Sequence, residues 1–424
     1  MWLWRQQKVV LAVLWILMQL SLLWQHHGPY YVNDSGRYLA YGRRIAEEWC
    51  FEHNHNLRYI GYPLFVSFWH WLGAGRWGIV LGQIGIAALA TACFYDALRR
   101  LGGHRLPALL GTASLILWRD TQQFNVYLLT ESLFQSYLIL SFWALVRAHT
   151  SGKRSWILFA LCLVLAFFSR PNGFVVPAAG VLAVLTLLRQ QPDQRLYRRV
   201  LLLLVLLLPL IWLILNKLLL TFTLVETYLR GEIIYGYTAW VVEPTEPIQM
   251  PPDGLSPVIR LAYFIWHNPV FFTKLALLKL VVFFGYAKTY YSWGHILGIV
   301  SFIYPCYWLA FWGARRHTIW QPACVFLVST VLLQAFVVMM TVEDWDVRFL
   351  VPLLPCIFAL AALEITRRLH VRNYISDVQA PDNYPTTQYT TGHHALRLSN
   401  RCPKPCQPCN PPVCTATTVL SGAK

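Results

Sequence analysis

Long apolar runs separated by short polar connectors make up most of the first 370 residues. A transmembrane helix needs roughly 20 apolar residues, and fewer where neighbouring protein shields it. About ten runs fit, at 8–24, 76–98, 105–118, 125–147, 155–169, 172–189, 200–222, 288–313, 319–341 and 347–366. The pattern predicts an all-α fold, a polytopic integral membrane protein of about ten transmembrane helices over residues 1–370.

The basic connectors between these runs predict an orientation. With ten spans they all fall on one side of the membrane, at residues 5–8, 99–105, 147–154, 189–199, 315–316 and 367–372. Short loops rich in Lys and Arg favour the cytoplasmic side. The first run lacks a small-residue cleavage pattern, so we expect a retained span. We therefore expect a multi-pass protein of the plasma (inner) membrane with cytoplasmic N- and C-termini.

Two long loops lie on the opposite, outer side. The first, residues 25–76, is rich in aromatic residues and is expected to hold interfacial helices. The second, residues 223–288, contains a Pro-rich acidic stretch, followed by an apolar segment that carries Lys274 and Lys279. That segment has the composition of an interfacial or re-entrant helix.

From about residue 371 to 424 the chain becomes polar and rich in Pro, Thr and Cys. Such a composition is typical of disorder, and we expect a disordered cytoplasmic tail. Its four cysteines, Cys402, Cys406, Cys409 and Cys414, lack the paired spacing common in zinc sites.

Composition agrees with a membrane protein. The chain is 57% hydrophobic and 13% charged, whereas soluble domains carry about 25% charged residues. The formal net charge of +16 would suggest nucleic acid in a soluble protein. Here the basic residues lie in the connectors, so topology explains them and no nucleic-acid partner is expected.

Ionisable residues recur on the outer side of several predicted spans, namely Asp34, Asp120, Glu131, Arg170 and Arg348. Charges near hydrocarbon are costly and usually mark a pathway or a site. If the spans bundle, these groups would line one outward-facing cavity. A carboxylate such as Asp34 could deprotonate a hydroxyl there, and Arg170 and Arg348 could bind phosphate oxygens. Such a cavity suits a lipid-anchored, phosphate-bearing substrate.

Each of these residues also has a structural interpretation. Asp34 could cap a helix on whose face Tyr38 and Tyr41 follow at i+4 and i+7. Glu131 could be a buried acid paired with an arginine, and Arg170 precedes a proline in a tight turn.

The remaining polar clusters in the outer loops point to no metal. The acids at 343–346 could belong to a solvated loop, and Glu52, His53 and His55 fit an interfacial loop better than a metal site. The sequence requires no cofactor and leaves a divalent cation open.

Five short motifs, at residues 33–39, 61–65, 130–134, 169–173 and 346–355, occur in an order that resembles the GT-C membrane glycosyltransferases. Within them the chain is similar to the branch of protein O-mannosyltransferases, aminoarabinose transferases and lipopolysaccharide-core glycosyltransferases. The resemblance covers residues 1–370. It implies transfer of a sugar from a polyprenyl-phosphate donor, with inversion, to a lipid, glycan or protein acceptor on the outer face.

The resemblance also implies roles for individual residues. Asp34 would be the catalytic base, and Arg348, with Arg170, would hold the donor phosphate. Glu131 and Asp120 would be further acids in the cavity, lined by the aromatic residues Tyr38, Tyr41 and Tyr62. The chain departs from the family in having one acid, Asp34, where paired acids are common, and in lacking a large soluble C-terminal domain.

Two other functions would also place acids and arginines in an outer cavity. One is a transporter or flippase of a lipid-linked sugar, although long helical loops and the lack of half-to-half symmetry favour the enzyme. The other is a surface-glycan polymerase or ligase, which would consume a diphosphate-linked oligosaccharide.

Overall fold

The computed structural model describes residues 6–379, apart from 53–54, 222–223, 317–318 and 345–346. This part of the chain is helical, as the apolar runs predicted. The helices up to residue 189 are α1 (Gln7–Gln25), α2 (Ser35–Glu48), α3 (Gly61–Trp71), α4 (Gly75–Gly102), α5 (Arg105–Leu117), α6 (Arg119–Gln123), α7 (Glu131–Ser151), α8 (Lys153–Ser169) and α9 (Val175–Arg189).

The second set of helices begins with a broken pair. The helices are α10 (Arg195–Leu206), α11 (Leu208–Thr221), α12 (Leu224–Leu229), α13 (Pro257–His267), α14 (Pro269–Gly285), α15 (Trp293–Gly298), α16 (Tyr304–Arg315), α17 (Gln321–Met340) and α18 (Leu354–Gln379). A π-helical segment, Ile299–Ile303, joins α15 to α16, and 3₁₀ turns lie at His55–Tyr59 and Val351–Leu353.

Among the described residues, four helices are long and apolar enough to cross a membrane: α1, α4, the continuous stretch Trp293–Arg315, and α17. The number rises to six if each bent pair is one span. The bend is 43° between α10 and α11, and 102° between α13 and α14. The chain is thus a multi-pass membrane protein, while ten spans remains a prediction. The sharper bend, at Asn268, lies just before the segment expected to be interfacial or re-entrant.

Two helices begin well inside the apolar runs that predicted them. The run at 125–147 becomes helical only at Glu131, because residues 125–130 form a turn whose backbone pairs with Tyr30. The Gln83 side chain donates to the carbonyls of Asn125 and Tyr127 in this turn, at 3.1 and 2.8 Å. The last helix likewise begins at Leu354, after a 3₁₀ turn.

The end of α18 overlaps the start of the predicted tail. The helix continues to Gln379, past the boundary expected at residue 371. Of the described residues, those up to residue 375 belong to a first compact unit, and the end of α18 lies outside it. Most of the predicted tail, including its four cysteines, lies outside the described residues.

The centre of the first unit is formed by α7 and by the first half of α18, which are buried on nearly all sides. A helix that is apolar all round belongs in a core or a membrane. Helix α7 packs against α4 and α8, and α9 packs against α17. The first residue of α7 and the loop before α18 therefore lie at one end of the best-packed part of the molecule.

We expect Gly173→Ala to destabilise the protein. Gly173 lies in the tight link between α8 and α9, where an added Cβ would stand 2.3 Å from the Ala166 carbonyl oxygen and 2.5 Å from that of Phe167. Backbone atoms cannot rotate away, so overpacking should cost about 1–3 kcal/mol. The measurement is the thermal unfolding midpoint of the protein in detergent.

Gly85→Ala is the matched control, since nothing lies within 4 Å of its added Cβ on α4. Alanine is preferred over glycine inside a helix by roughly 1 kcal/mol, so the midpoint should stay unchanged or rise. Equal midpoints for the two variants would contradict the packing of this link.

Candidate active site

Arg348, in the loop between α17 and α18, contacts three carboxylates. Its Nε donates to Oε1 of Glu131 at 2.6 Å, and its Nη1 donates to Oδ2 of Asp34 at 2.9 Å and to Oδ2 of Asp344 at 3.3 Å. The side chain is 16% exposed. The planar guanidinium can serve several acceptors at once, which an ammonium cannot do in one plane.

Glu131 is fully buried at the first position of α7 and serves two arginines. Its Oε1 lies 2.6 Å from Nε of Arg348 and 3.2 Å from Nη2 of Arg170. Arg170 lies between the rings of Phe134 and Phe349, and its Nη1 donates to the Arg348 carbonyl oxygen at 3.0 Å. Glu131 is therefore a buried acid paired with arginine, as one interpretation predicted. It also lies in the same cluster as Asp34, since both carboxylates bind Arg348.

Asp34 is the most accessible member of this group, with 35% of its side chain exposed. It occupies the N-cap position of α2, as the cap interpretation predicted, but its side chain makes no capping hydrogen bond. Its two oxygens face Arg348, at 2.9 Å, and Arg37, at 3.5 Å. We call Asp34, Glu131, Arg170, Asp344 and Arg348 the Arg348 cluster.

The three aromatic residues predicted to line the cavity are all buried, but they have different partners. Tyr38 packs edge-on against Tyr59 and Tyr62. Burial, together with the nearby carboxylates of Glu131 and Asp34, raises the pKa of Tyr38, so this phenol stays protonated beside the cluster. The Tyr62 hydroxyl donates to Gln83 at 2.8 Å.

Tyr41 has its contacts at a different point of the first outer loop. Its hydroxyl accepts from the Glu52 backbone N–H at 3.0 Å, and its ring packs with Ile45 and Ile60. The Glu52 carboxylate accepts from Arg44 at 2.8 Å, while His53, the adjacent candidate ligand, lies outside the described residues. In the part of the chain that the structure describes, no three His, Cys, Asp or Glu side chains are placed to hold a metal.

Asp120 belongs to a separate group of polar and aromatic side chains. Its Oδ2 accepts from the Tyr286 hydroxyl at 2.6 Å and lies 3.0 Å from Nε2 of His295. Trp118 donates from Nε1 to the same tyrosine oxygen at 2.9 Å. No recorded ion pair links Asp120 to the described residues of the Arg348 cluster, so the expected acids divide between two places.

Lys288 is a site residue that the sequence did not indicate. It is 1% exposed, Glu343 is fully buried, and neither Nζ of Lys288 nor Oε2 of Glu343 has a hydrogen-bond partner among the described residues. Burial lowers the pKa of Lys288 against the attraction of Glu343 and Asp344, and burial raises the pKa of Glu343 to about 7. In the sequence, Lys288 was distinguished only by its position at the edge of an apolar run.

Tyr286 and His295 were also missed, because aromatic and histidine side chains beside a span are common in the membrane interface. Their role as partners of Asp120 depends on the fold.

We expect Glu131→Gln to destabilise the protein by about 3–5 kcal/mol, the usual cost of breaking a buried ion pair by removing one partner. The substitution keeps the shape but leaves two arginines close together without their shared counter-charge. Chemical denaturation in detergent measures the change in the free energy of unfolding.

Glu47→Gln is the control, because Glu47 on α2 is 44% exposed and pairs with Arg43 at 2.8 Å. An exposed pair contributes about 0–1 kcal/mol. If the free energy of unfolding fell by less than 1 kcal/mol for Glu131→Gln, or fell equally for both variants, Glu131 would not stabilise the fold through its ion pairs with Arg170 and Arg348.

Comparison with known proteins gives one family match. Residues 60–216, less than half of the chain, match the family model of dolichyl-phosphate-mannose-protein mannosyltransferases. A comparison with curated protein sequences finds no match. The crystal structure of ArnT from Cupriavidus metallidurans in the apo state is similar to 87% of this chain, with a TM-score of 0.47 and 13% identity.

This chain spans 62% of the length of the ArnT chain. The family match does agree with the resemblance seen in the five motifs, three of which lie within the matched residues. Residues 60–216 of this multi-pass membrane protein are thus similar to the dolichyl-phosphate-mannose-protein mannosyltransferases.

Proposed function

We propose that the protein transfers a sugar from a polyprenyl-phosphate donor to a lipid or glycan acceptor on the outer face of the plasma (inner) membrane, with Asp34 as the general base. The observation that carries this proposal is the 2.9 Å pair between Asp34 and Arg348 at the accessible edge of a buried charged cluster. A base and an anion-binding group are thereby neighbours. The matched family's description names a dolichyl-phosphate sugar, which is a donor of this chemical class.

In the proposed reaction Asp34 and Arg348 have different roles. Asp34 accepts the proton of the acceptor hydroxyl while the hydroxyl oxygen forms a bond to the anomeric carbon. The bond between that carbon and the phosphate oxygen breaks, and its electron pair stays on the polyprenyl phosphate. Attack opposite to the leaving group inverts the anomeric centre.

Arg348 has a donor left for the phosphate. Its hydrogen bonds within the described part of the chain use Nε and Nη1, and no described residue accepts from Nη2. A phosphate oxygen at Nη2 would lie beside Asp34 and would gain a charge-assisted hydrogen bond. Arg170 is 4% exposed and holds Glu131 and the Arg348 carbonyl, so its contribution to the donor phosphate would be made mainly through the position of Arg348.

Glu131 and Asp120 fit supporting roles. Glu131 orients the Arg348 guanidinium through the 2.6 Å bond to Nε. Asp120, held by Tyr286 and His295, would meet another part of the donor or acceptor.

Asp34→Asn should lower kcat by at least about 100-fold, since general base catalysis typically contributes 10²–10⁴-fold. Asparagine keeps a side-chain oxygen for Arg348, so the KM for the donor should change by only a few-fold. The measurement is release of polyprenyl phosphate by the purified protein in lipid, from a panel of polyprenyl-monophosphate sugars.

Asp253→Asn serves as the control, an exposed acid in the long loop before α13, and should retain wild-type turnover. Activity indifferent to Asp34→Asn would remove the base from this position. Movement of a lipid-linked sugar across the bilayer without release of polyprenyl phosphate would establish the flippase alternative. Turnover only with diphosphate-linked oligosaccharides would establish the polymerase or ligase.

A further inference from the structure

A groove opens between α1, α4 and α5, and no residue of the Arg348 cluster lines it. Its volume is about 420 Å³, within the range of small-molecule sites. The walls are mostly apolar, and small side chains at Ala12, Ala88 and Ala92 leave the space open. The groove lies along candidate membrane spans, so an occupant can enter sideways from the bilayer.

One end of the groove is basic. Lys8, near the start of α1, and Arg99, near the end of α4, both line it. The Lys8 ammonium lies 5.6 Å from the centre of the Tyr95 ring, and Arg99 is within electrostatic range of the Tyr95 hydroxyl. The ion pairs of the described residues include none to Lys8 or Arg99. Both are exposed cations at the rim of an apolar slot.

Asp96 is the one carboxylate in the lining, and it is already engaged. Its Oδ2 accepts from Nε of Arg100 at 2.7 Å and from Nε1 of Trp143 at 2.9 Å. It therefore does not neutralise Lys8 and Arg99, and the rim keeps a net positive charge that complements an anionic head group.

Two residues that line the groove each carry a buried polar atom without a hydrogen-bond partner in the part of the chain that the structure describes. Serine and threonine in a helix usually donate to the carbonyl four residues back, as Thr91 does to Ala87 at 2.8 Å and Ser114 does to Leu110 at 2.9 Å. Thr112 is 2% exposed and makes no such bond, and Nε1 of Trp15 is also buried without an acceptor. Buried donors without partners are uncommon and call for an explanation.

These atoms lie at a defined depth from the rim. Trp15 follows Lys8 by seven residues on α1, and Thr112 follows the start of α5 by seven residues. Seven residues of helix span about 10 Å. The groove thus offers cations at its rim and hydrogen-bond donors about two turns further in, with apolar walls between and beyond.

We propose that this groove binds one anionic glycerophospholipid, with its phosphate at Lys8 and Arg99, an ester carbonyl at Trp15 and Thr112, and an acyl chain along the alanine wall. Side-chain rotation of Thr112 would turn its hydroxyl to the carbonyl. A polyprenyl phosphate fits the rim but carries only hydrocarbon beyond its phosphate, so it leaves both donors unpaired. The lipid would cover part of α1, because only 22% of the apolar stretch of this helix is buried against the rest of the protein.

The test is native mass spectrometry of the full chain released from detergent, with four probes at equal concentration. They are phosphatidylglycerol, phosphatidylcholine, the ether-linked analogue of phosphatidylglycerol, and a polyprenyl phosphate. The wild type should retain phosphatidylglycerol best, and lose part of that affinity with the ether analogue, which has no ester carbonyl. Thr112→Val should reduce the difference between the ester and the ether lipid.

Lys8→Gln/Arg99→Gln should weaken phosphatidylglycerol retention roughly 30-fold, from the usual contribution of two basic residues to an anionic lipid surface. Arg154→Gln/Arg198→Gln removes the same charge from exposed positions outside the groove and should bind like the wild type. Ala92→Phe, which fills the groove, should lose the lipid while keeping the rim. Thermal midpoints verify that each variant is folded.

If both double variants lost the same amount of phosphatidylglycerol, the lipid would be attracted to basic surface in general, and the proposal of a groove site would be overturned. Retention of lipid by a folded Ala92→Phe variant would do the same. Polyprenyl phosphate bound as well as phosphatidylglycerol would overturn the assignment to a glycerophospholipid.

Discussion

The buried carboxylate of Glu131 and its two arginines impose the strongest constraint on this structure. An ionised group in an apolar interior is tolerated only when it is paired and hydrogen-bonded. Glu131 is provided by the start of α7, Arg170 by the link between α8 and α9, and Arg348 by the loop before α18. The pairing therefore fixes three distant segments of the chain against one another. Arg348 then extends the network outward to Asp34.

Much of this arrangement could be predicted from the sequence, for a physical reason. Apolar runs locate helices that are buried or in lipid, and an ionisable residue beside such a run needs a partner. That reasoning selected Asp34, Glu131, Arg170 and Arg348, and the structure brings all four together.

Other features could not be predicted because they depend on contacts between distant segments. The turn before Glu131 exists because Gln83 and the Tyr30 backbone satisfy its polar groups, which apolarity does not reveal. Asp120 looked equivalent to the other outer acids, yet Tyr286 and His295, over 160 residues away, hold it elsewhere. Lys288 could not be distinguished from the many lysines at membrane interfaces until its burial was known.

The position of Asp34 immediately before α2 has a mechanical consequence. Glu131 and Arg170 are anchored in the packed interior, whereas α2 packs chiefly against α3. A joint displacement of these two helices would widen the gap between Asp34 and Arg348 and leave both ion pairs of Glu131 intact. The position of Arg348 and the gap between Arg348 and Asp34 thus depend on different helices, and the gap can change while the buried ion pairs stay in place.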